Sequence, residues 1–294
     1  MRWIIKAKGL NNMNNISAKP RENKILLYLT ILIVILVATC SSIGIWHEQL
    51  YSKETVNILS QCIGQDISNL FIISPILLVS ALIASKGNKI AKIIWIATMI
   101  INAYTYVIYC FTVHFNFLFH IYCFILGLSI YSSLIFFIKY FNEDFKNWFT
   151  EKVPTKSIGI FLIIIASMFT VMWLSDSLPA VLTNTVPANL IKDNLLTNPV
   201  QVLDFSFFLP LMFISSVMII KKKTLGYLLA PIMIVFAILT NVNIICLMVV
   251  TMQKTSSNNI SMIIAFGIFA SICICFLYLF LKNISESSQN TKSL

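Results

Sequence analysis

The strongest constraint on this chain is a stretch of about 20 mostly apolar residues that recurs eight times along it. As a helix, such a stretch is long enough to cross about 30 Å of hydrocarbon. Inside hydrocarbon each segment must satisfy its own backbone polar groups, which makes helices the default, and no barrel-like alternation is present. The spans read at about 25–47, 66–85, 91–112, 117–138, 157–175, 200–220, 225–250 and 260–281. Composition points the same way. Residues are 58% hydrophobic and 11% charged, against about 25% charged in soluble domains. The expected fold class is an all-α membrane protein with eight transmembrane helices, in contact with the lipid bilayer of the plasma membrane.

The net charge of +10 invites a nucleic-acid reading, but its distribution argues for topology instead. With the N-terminus inside, eighteen basic residues fall on the inner side, among them Lys86, Lys89, Lys139, Lys146 and Lys221 to Lys223; only Lys53, Lys192 and Lys254 fall outside. That asymmetry is the positive-inside pattern. It places both termini in the cytoplasm and leaves no nucleic-acid partner to expect. Residues 1–24 are too long and polar for an ordinary signal segment, so the first span is read as retained.

Laying the first half over the second at an offset near 135 matches spans one to four with spans five to eight. Asp66-Ile67-Ser68 falls on Asp204-Phe205-Ser206 at an offset of 138, and Ser74-Pro75-Ile76 falls near Leu209-Pro210-Leu211. Two tandem four-helix repeats are therefore a reading that the sequence allows. The organisation expected is a basic cytoplasmic segment 1–24, a first membrane half 25–138, a cytoplasmic linker 139–156, a second half 157–281 and a cytoplasmic tail 282–294.

Asp66 and Asp204 are the candidate ion- or substrate-binding residues. Two readings stand side by side. Each aspartate can begin its helix, since Asp is a good N-cap and suits the positive end of the helix dipole. Alternatively the helices begin earlier, Asn198-Pro199 opening one and Ser60 capping the other, and the carboxylates lie inside. An embedded carboxylate is costly unless it meets protein, water or a cation, and such groups mark ion pathways. Gln65 beside Asp66 joins the candidate list. So do Asn102 and Tyr106, which share a helical face with Tyr109, and Asn116 and His120 beyond the short outer turn. Tyr109, His114 and Tyr122 read as interfacial belt residues. Asn102 is either glue between helices or a pocket residue.

The seven cysteines contain no C-x-x-C pair, and an outer disulfide is open. The three histidines lack metal-ligand spacing, so no metal and no cofactor is expected. No nucleotide-binding, zinc-hydrolase or serine-hydrolase motif is present, and no catalytic residue is assigned.

The stretches "GQD", "FNFLFHIY", "TNPVQVLDFSFFLP" and "GYLLAP", with the downstream prolines and basic inner turns, resemble a recurring bacterial multi-pass membrane family. The resemblance covers about residues 60–250. It implies an integral membrane protein and nothing about substrate, and it draws attention to Asp66, Asn116 and Asp204. Three functions are compatible with these observations. A small-solute or ion transporter, or an accessory subunit of one, is favoured by the paired carboxylates. A non-catalytic sensor, immunity or assembly protein needs only caps and belts. An intramembrane enzyme acting on a lipid-linked substrate or quinone would use the acids and an outer histidine.

Overall fold

The computed structural model describes residues 2–255 and 257–285, with side chains from Lys24 onward except Glu48. Residues 286–294 of the expected tail lie outside the described residues. The described chain is all-helical. Eight helices are long and apolar enough to span a membrane. We number them α1 (Arg2–Trp46, its apolar part Lys24–Trp46), α2 (Val56–Ser85), α3 (Lys89–Thr112), α4 (Phe119–Lys139), α5 (Thr155–Thr183), α6 (Pro199–Ile220), α7 (Thr224–Thr255) and α8 (Ile260–Leu281).

Local chemistry explains the helix starts. Thr55 caps α2, its hydroxyl accepting from the Ile58 amide. Asn88 caps α3 through the Ala91 amide, and Asn198 caps α6 through the amides of Val200 and Gln201 with Pro199 next in line. Each cap satisfies an orphan donor of the first turn. The opening at Asn198-Pro199 is where the sequence places it. The start of α2 is not: the helix begins ten residues before the expected 66, and Ser60 is inside it, its hydroxyl donating to the Val56 carbonyl. Neither Asp66 nor Asp204 is an N-cap.

Both α2 and α6 break their α-helical pattern in the same manner. A wide π-turn occupies Asn69–Ile73 in α2 and Asp204–Phe208 in α6. The amides of Ser74 and Leu209 reach back five residues, to the carbonyls of Asn69 and Asp204. Pro75 and Pro210 follow directly. A proline has no amide proton, and its ring crowds the carbonyl four residues back. One wider turn ahead of it relieves that crowding, and such turns recur at functional sites. After each π-turn comes a twelve-residue α-segment, Ser74–Ser85 or Leu209–Ile220, then a tight turn and the start of the next helix at Lys89 or Thr224. All of these boundaries are displaced by 135 residues. At that displacement Asp204 stands opposite Asn69, so the two aspartates are three residues out of register.

The turns are closed by residues with positive φ, Gly87 in one and Lys222 in the other. In the first half, α1 packs on α2 and α4, and α3 fills the gap between α2 and α4. In the second, α6 packs on α5 and α7, and α8 lies against α7. Phe161 and Phe276 stack at 3.8 Å between α5 and α8. The first four spans meet the last four mainly where α7 lies against α2 and α3. Gly64 permits that approach: a Cβ there would run into the α7 backbone at Cys246 and Leu247.

The loops gather at two ends. At one, Lys53 donates to the Phe115 carbonyl, Glu54 meets His114, and Asn57 donates to Asp193. At the other, the Thr150 amide donates to the Asn283 carbonyl and Thr224 donates to Asp144. The second end carries Lys86, Lys146, Lys152 and Lys221 to Lys223. Lys92 lies 5.2 Å from the Tyr140 ring centre there.

Candidate functional site

Asp66 lies ten residues past Val56, about 15 Å along the axis at 1.5 Å per residue, and is 2% exposed. The phenol of Tyr51, in the turn between α1 and α2, donates to one carboxylate oxygen at 2.6 Å. The phenol of Tyr109, on α3, donates to the other at 2.9 Å. Tyr109 packs against Tyr106 and Tyr122 at ring-centre distances of 5.4 and 5.1 Å. The floor of this cage is α1. A Cβ on Gly44 would collide with the Asp66 carboxylate and the Tyr51 hydroxyl. Glycine is thus required by space at that point, because a helix has little other use for it. Tyr51 stands outside the spans. Its burial, then the charge of Asp66, push its pKa well above 10, so the phenol keeps its proton and remains a donor.

Asp204 opens the π-turn of α6 and is half-buried. Trp173 on α5 donates its indole N–H to one carboxylate oxygen at 2.8 Å. Tyr104 on α3 donates its phenol to the other at 3.3 Å. Phe208 and Phe236 stack at 4.2 Å beside it, and Tyr104 meets both edge-on. Asp204 is therefore held between α3 and α5, whereas the donors to Asp66 come from α3 and the turn between α1 and α2.

The remaining sequence candidates separate into those that join this polar interior and those that do not. Gln65 and Asn243 exchange two hydrogen bonds across α2 and α7, at 3.1 and 2.5 Å, and Gln65 also donates to Asn69. Asn102 is buried and donates to Ser129 on α4 at 2.9 Å, which makes it glue between helices; its carbonyl oxygen has no partner. Tyr106 is buried in the aromatic stack against Tyr122. Asn116 belongs to the loop: its side chain accepts from the Leu118 amide and donates to the His114 carbonyl. His120 is exposed, edge-on to Phe119. The structure does not bring Asn116 or His120 into hydrogen-bonding contact with either acid.

Tyr109 and Tyr122 correct the belt reading. Both are buried, at 3% and 2% exposure: Tyr109 because α3 is the most enclosed span, and Tyr122 because α4 turns it onto the Tyr106 and Tyr109 rings of α3. Tyr51, Gly44, Tyr104 and Trp173 are site residues that sequence reasoning passes over. The signal available for Tyr104 is its two-residue displacement from Tyr106, which puts it on another face of the same helix. Among the described residues no three His, Cys, Asp or Glu side chains gather as a metal-holding group. All seven cysteines are free, with Cys110 and Cys123 facing each other at 3.9 Å between sulfurs.

No family model, no curated protein and no solved structure matches the chain. The functional reading therefore rests on its own residues.

Proposed function

We propose that this protein is a transporter of a small cation or cation-coupled solute, or an accessory subunit of one, in the plasma membrane with both termini cytoplasmic. One observation carries the proposal. Two carboxylates lie within apolar helices, the hydrogen-bond donors that reach them are neutral phenols and an indole, and α3 touches both. An ionised carboxylate in such surroundings carries a large desolvation cost. A proton or a bound cation relieves that cost, and loading followed by release is what a carrier requires.

The depth of Asp66 supports this reading, since transporter sites cluster toward the bilayer midplane at junctions between repeats. So does the common sequence of π-turn, proline and basic turn in α2 and α6, which fits two related halves that can rock against each other. A broken helix turn is a place where a span can bend without losing its whole hydrogen-bond ladder.

The test is reconstitution of the purified protein into liposomes with an imposed sodium or proton gradient, read by a lumenal pH dye and by isotope uptake. The native protein is expected to move one of these ions at a rate at least tenfold above empty liposomes, and Asp66→Asn or Asp204→Asn to abolish it. Equal leak from native, variant and empty liposomes would overturn the reading.

A further inference from the structure

A small cavity of about 50 Å³ opens beside Asp204. It is lined by Asp204, Thr240 and Asn241 together with apolar side chains including Ile165, Phe169 and Met212. Its volume is several times the roughly 10–15 Å³ that one water needs. The polar lining is unusual. Asn241 is 2% exposed, and its amide nitrogen is committed to the Ala237 carbonyl at 2.6 Å. That bond fixes which way the amide points, because the reverse orientation would set two oxygens against each other. The Asn241 carbonyl oxygen is left buried with no partner. The Thr240 hydroxyl on the same helix is likewise buried and without a partner.

Unsatisfied buried polar atoms are rare and call for an explanation. Here the two lie around a cavity that a carboxylate also lines, and all of the free valence is oxygen. Oxygen ligands suit hard cations. One carboxylate balances a single positive charge; a divalent ion would leave a net charge among the phenylalanine, isoleucine and methionine side chains. Trp173 and Tyr104 each occupy one lone pair of Asp204 and hold it at the cavity wall, leaving further lone pairs for an ion.

We infer that this cavity is a binding site for a largely dehydrated monovalent cation, with Asp204, Asn241 and Thr240 supplying oxygen ligands. The inference deepens the transport reading by giving the cation a place and separating it from Asp66. The Asp66 cage is closed by Tyr51, Tyr109 and the Gly44 backbone, and its contacts suit a proton rather than an ion with a radius of its own.

The experiment is equilibrium binding of ²²Na⁺ and ⁸⁶Rb⁺ to the purified full-length protein in choline buffer, by scintillation proximity. Saturable binding of one of the two ions is expected. Asp204→Asn abolishes it, and Thr240→Val, nearly isosteric and free of the hydroxyl, weakens it at least tenfold. Thr240→Ser, which keeps the hydroxyl, stays within threefold of native. Cys275→Ser, on the exposed face of α8, leaves binding unchanged. Absence of saturable binding of either ion to the native protein overturns the site and leaves the cavity to water. Binding that survives Thr240→Val and Asp204→Asn equally overturns it. The liposome assay separates the two claims: ion movement without saturable binding at Asp204 removes this site but keeps the transporter, while binding without movement does the reverse.

Discussion

Tyr104 and Tyr109, five residues apart on α3, donate their phenols to different carboxylates: Tyr104 to Asp204 and Tyr109 to Asp66. The separation is about 7.5 Å along the axis at 1.5 Å per residue. One rigid, deeply enclosed helix thus touches both acids. A change at one acid that shifts or rotates α3 alters the donor available to the other. Whatever load the acids carry, this helix connects them through direct hydrogen bonds.

Replacing a donor should show how strongly the Asp66 cage depends on it. Tyr51→Phe removes the 2.6 Å bond while keeping the buried ring. Loss of a hydrogen bond to a buried polar group costs about 1–3 kcal/mol. We expect that loss from chemical unfolding in mild detergent. In an Asp66→Asn background the same change should cost less, and the double-mutant cycle measures the coupling. Additive effects would show that the two side chains do not share an interaction.

The same phenol gives a pH dependence with a definite sign. Burial and the neighbouring carboxylate raise the folded pKa of Tyr51 above its unfolded value near 10. Its protonated form therefore contributes stability that is complete below about pH 10 and is lost as pH rises through the folded value. Between pH 9 and 12 the native protein should lose stability more steeply than Tyr51→Phe. Parallel curves would contradict the assignment.

Gly44 and Gly127 offer a matched contrast. A Cβ at Gly44 meets the Asp66 carboxylate and the Tyr51 hydroxyl, whereas at Gly127 it meets open space. Gly44→Ala should destabilise by about 1–3 kcal/mol through overpacking. Gly127→Ala should be neutral or stabilising by up to about 1 kcal/mol, since alanine is the better helix former. Thermal melts of the two variants beside the native protein check both signs.

The two thiols of Cys110 and Cys123 test how α3 and α4 sit together. Their sulfurs are 3.9 Å apart in this reduced form. Mild copper-phenanthroline oxidation should link them within one chain and remove two free thiols from the count. Cys110→Ser should prevent the link. Links only between different chains would contradict the packing of these helices.

The eight spans were legible because a membrane helix advertises itself by length and apolarity, and seven of their starts lie within a few residues of the expected positions. The opening of α6 was legible too, because Asn198-Pro199 is local chemistry. The start of α2 was not. Its first two turns carry Asn57, Ser60 and Gln61, polar residues that read as loop, yet the protein packs this part against α1 and α7. That error hid the depth of Asp66. The π-turns have only proline as a signal, and proline marks kinks of several kinds. The belt reading of Tyr109 and Tyr122 fails because a belt tyrosine and a core tyrosine are the same residue; only position among the helices decides. Asn116 and His120 drew attention by type, but a loop fold and an outward face account for them.

The most direct test of the central claim is thermal stability in lipid nanodiscs, scanned over pH and sodium concentration, for the native protein, Asp66→Asn and Asp204→Asn. A ligand that binds only the folded state raises stability by an amount set by its concentration and affinity. Each acid is hydrogen-bonded through oxygens that asparagine shares in part, so both variants should fold. The account predicts a saturable dependence of the native melting temperature on sodium or on protons. Asp204→Asn should remove the sodium part and Asp66→Asn the proton part. Three proteins that melt alike under every condition would contradict it, and would make both carboxylates parts of the scaffold alone.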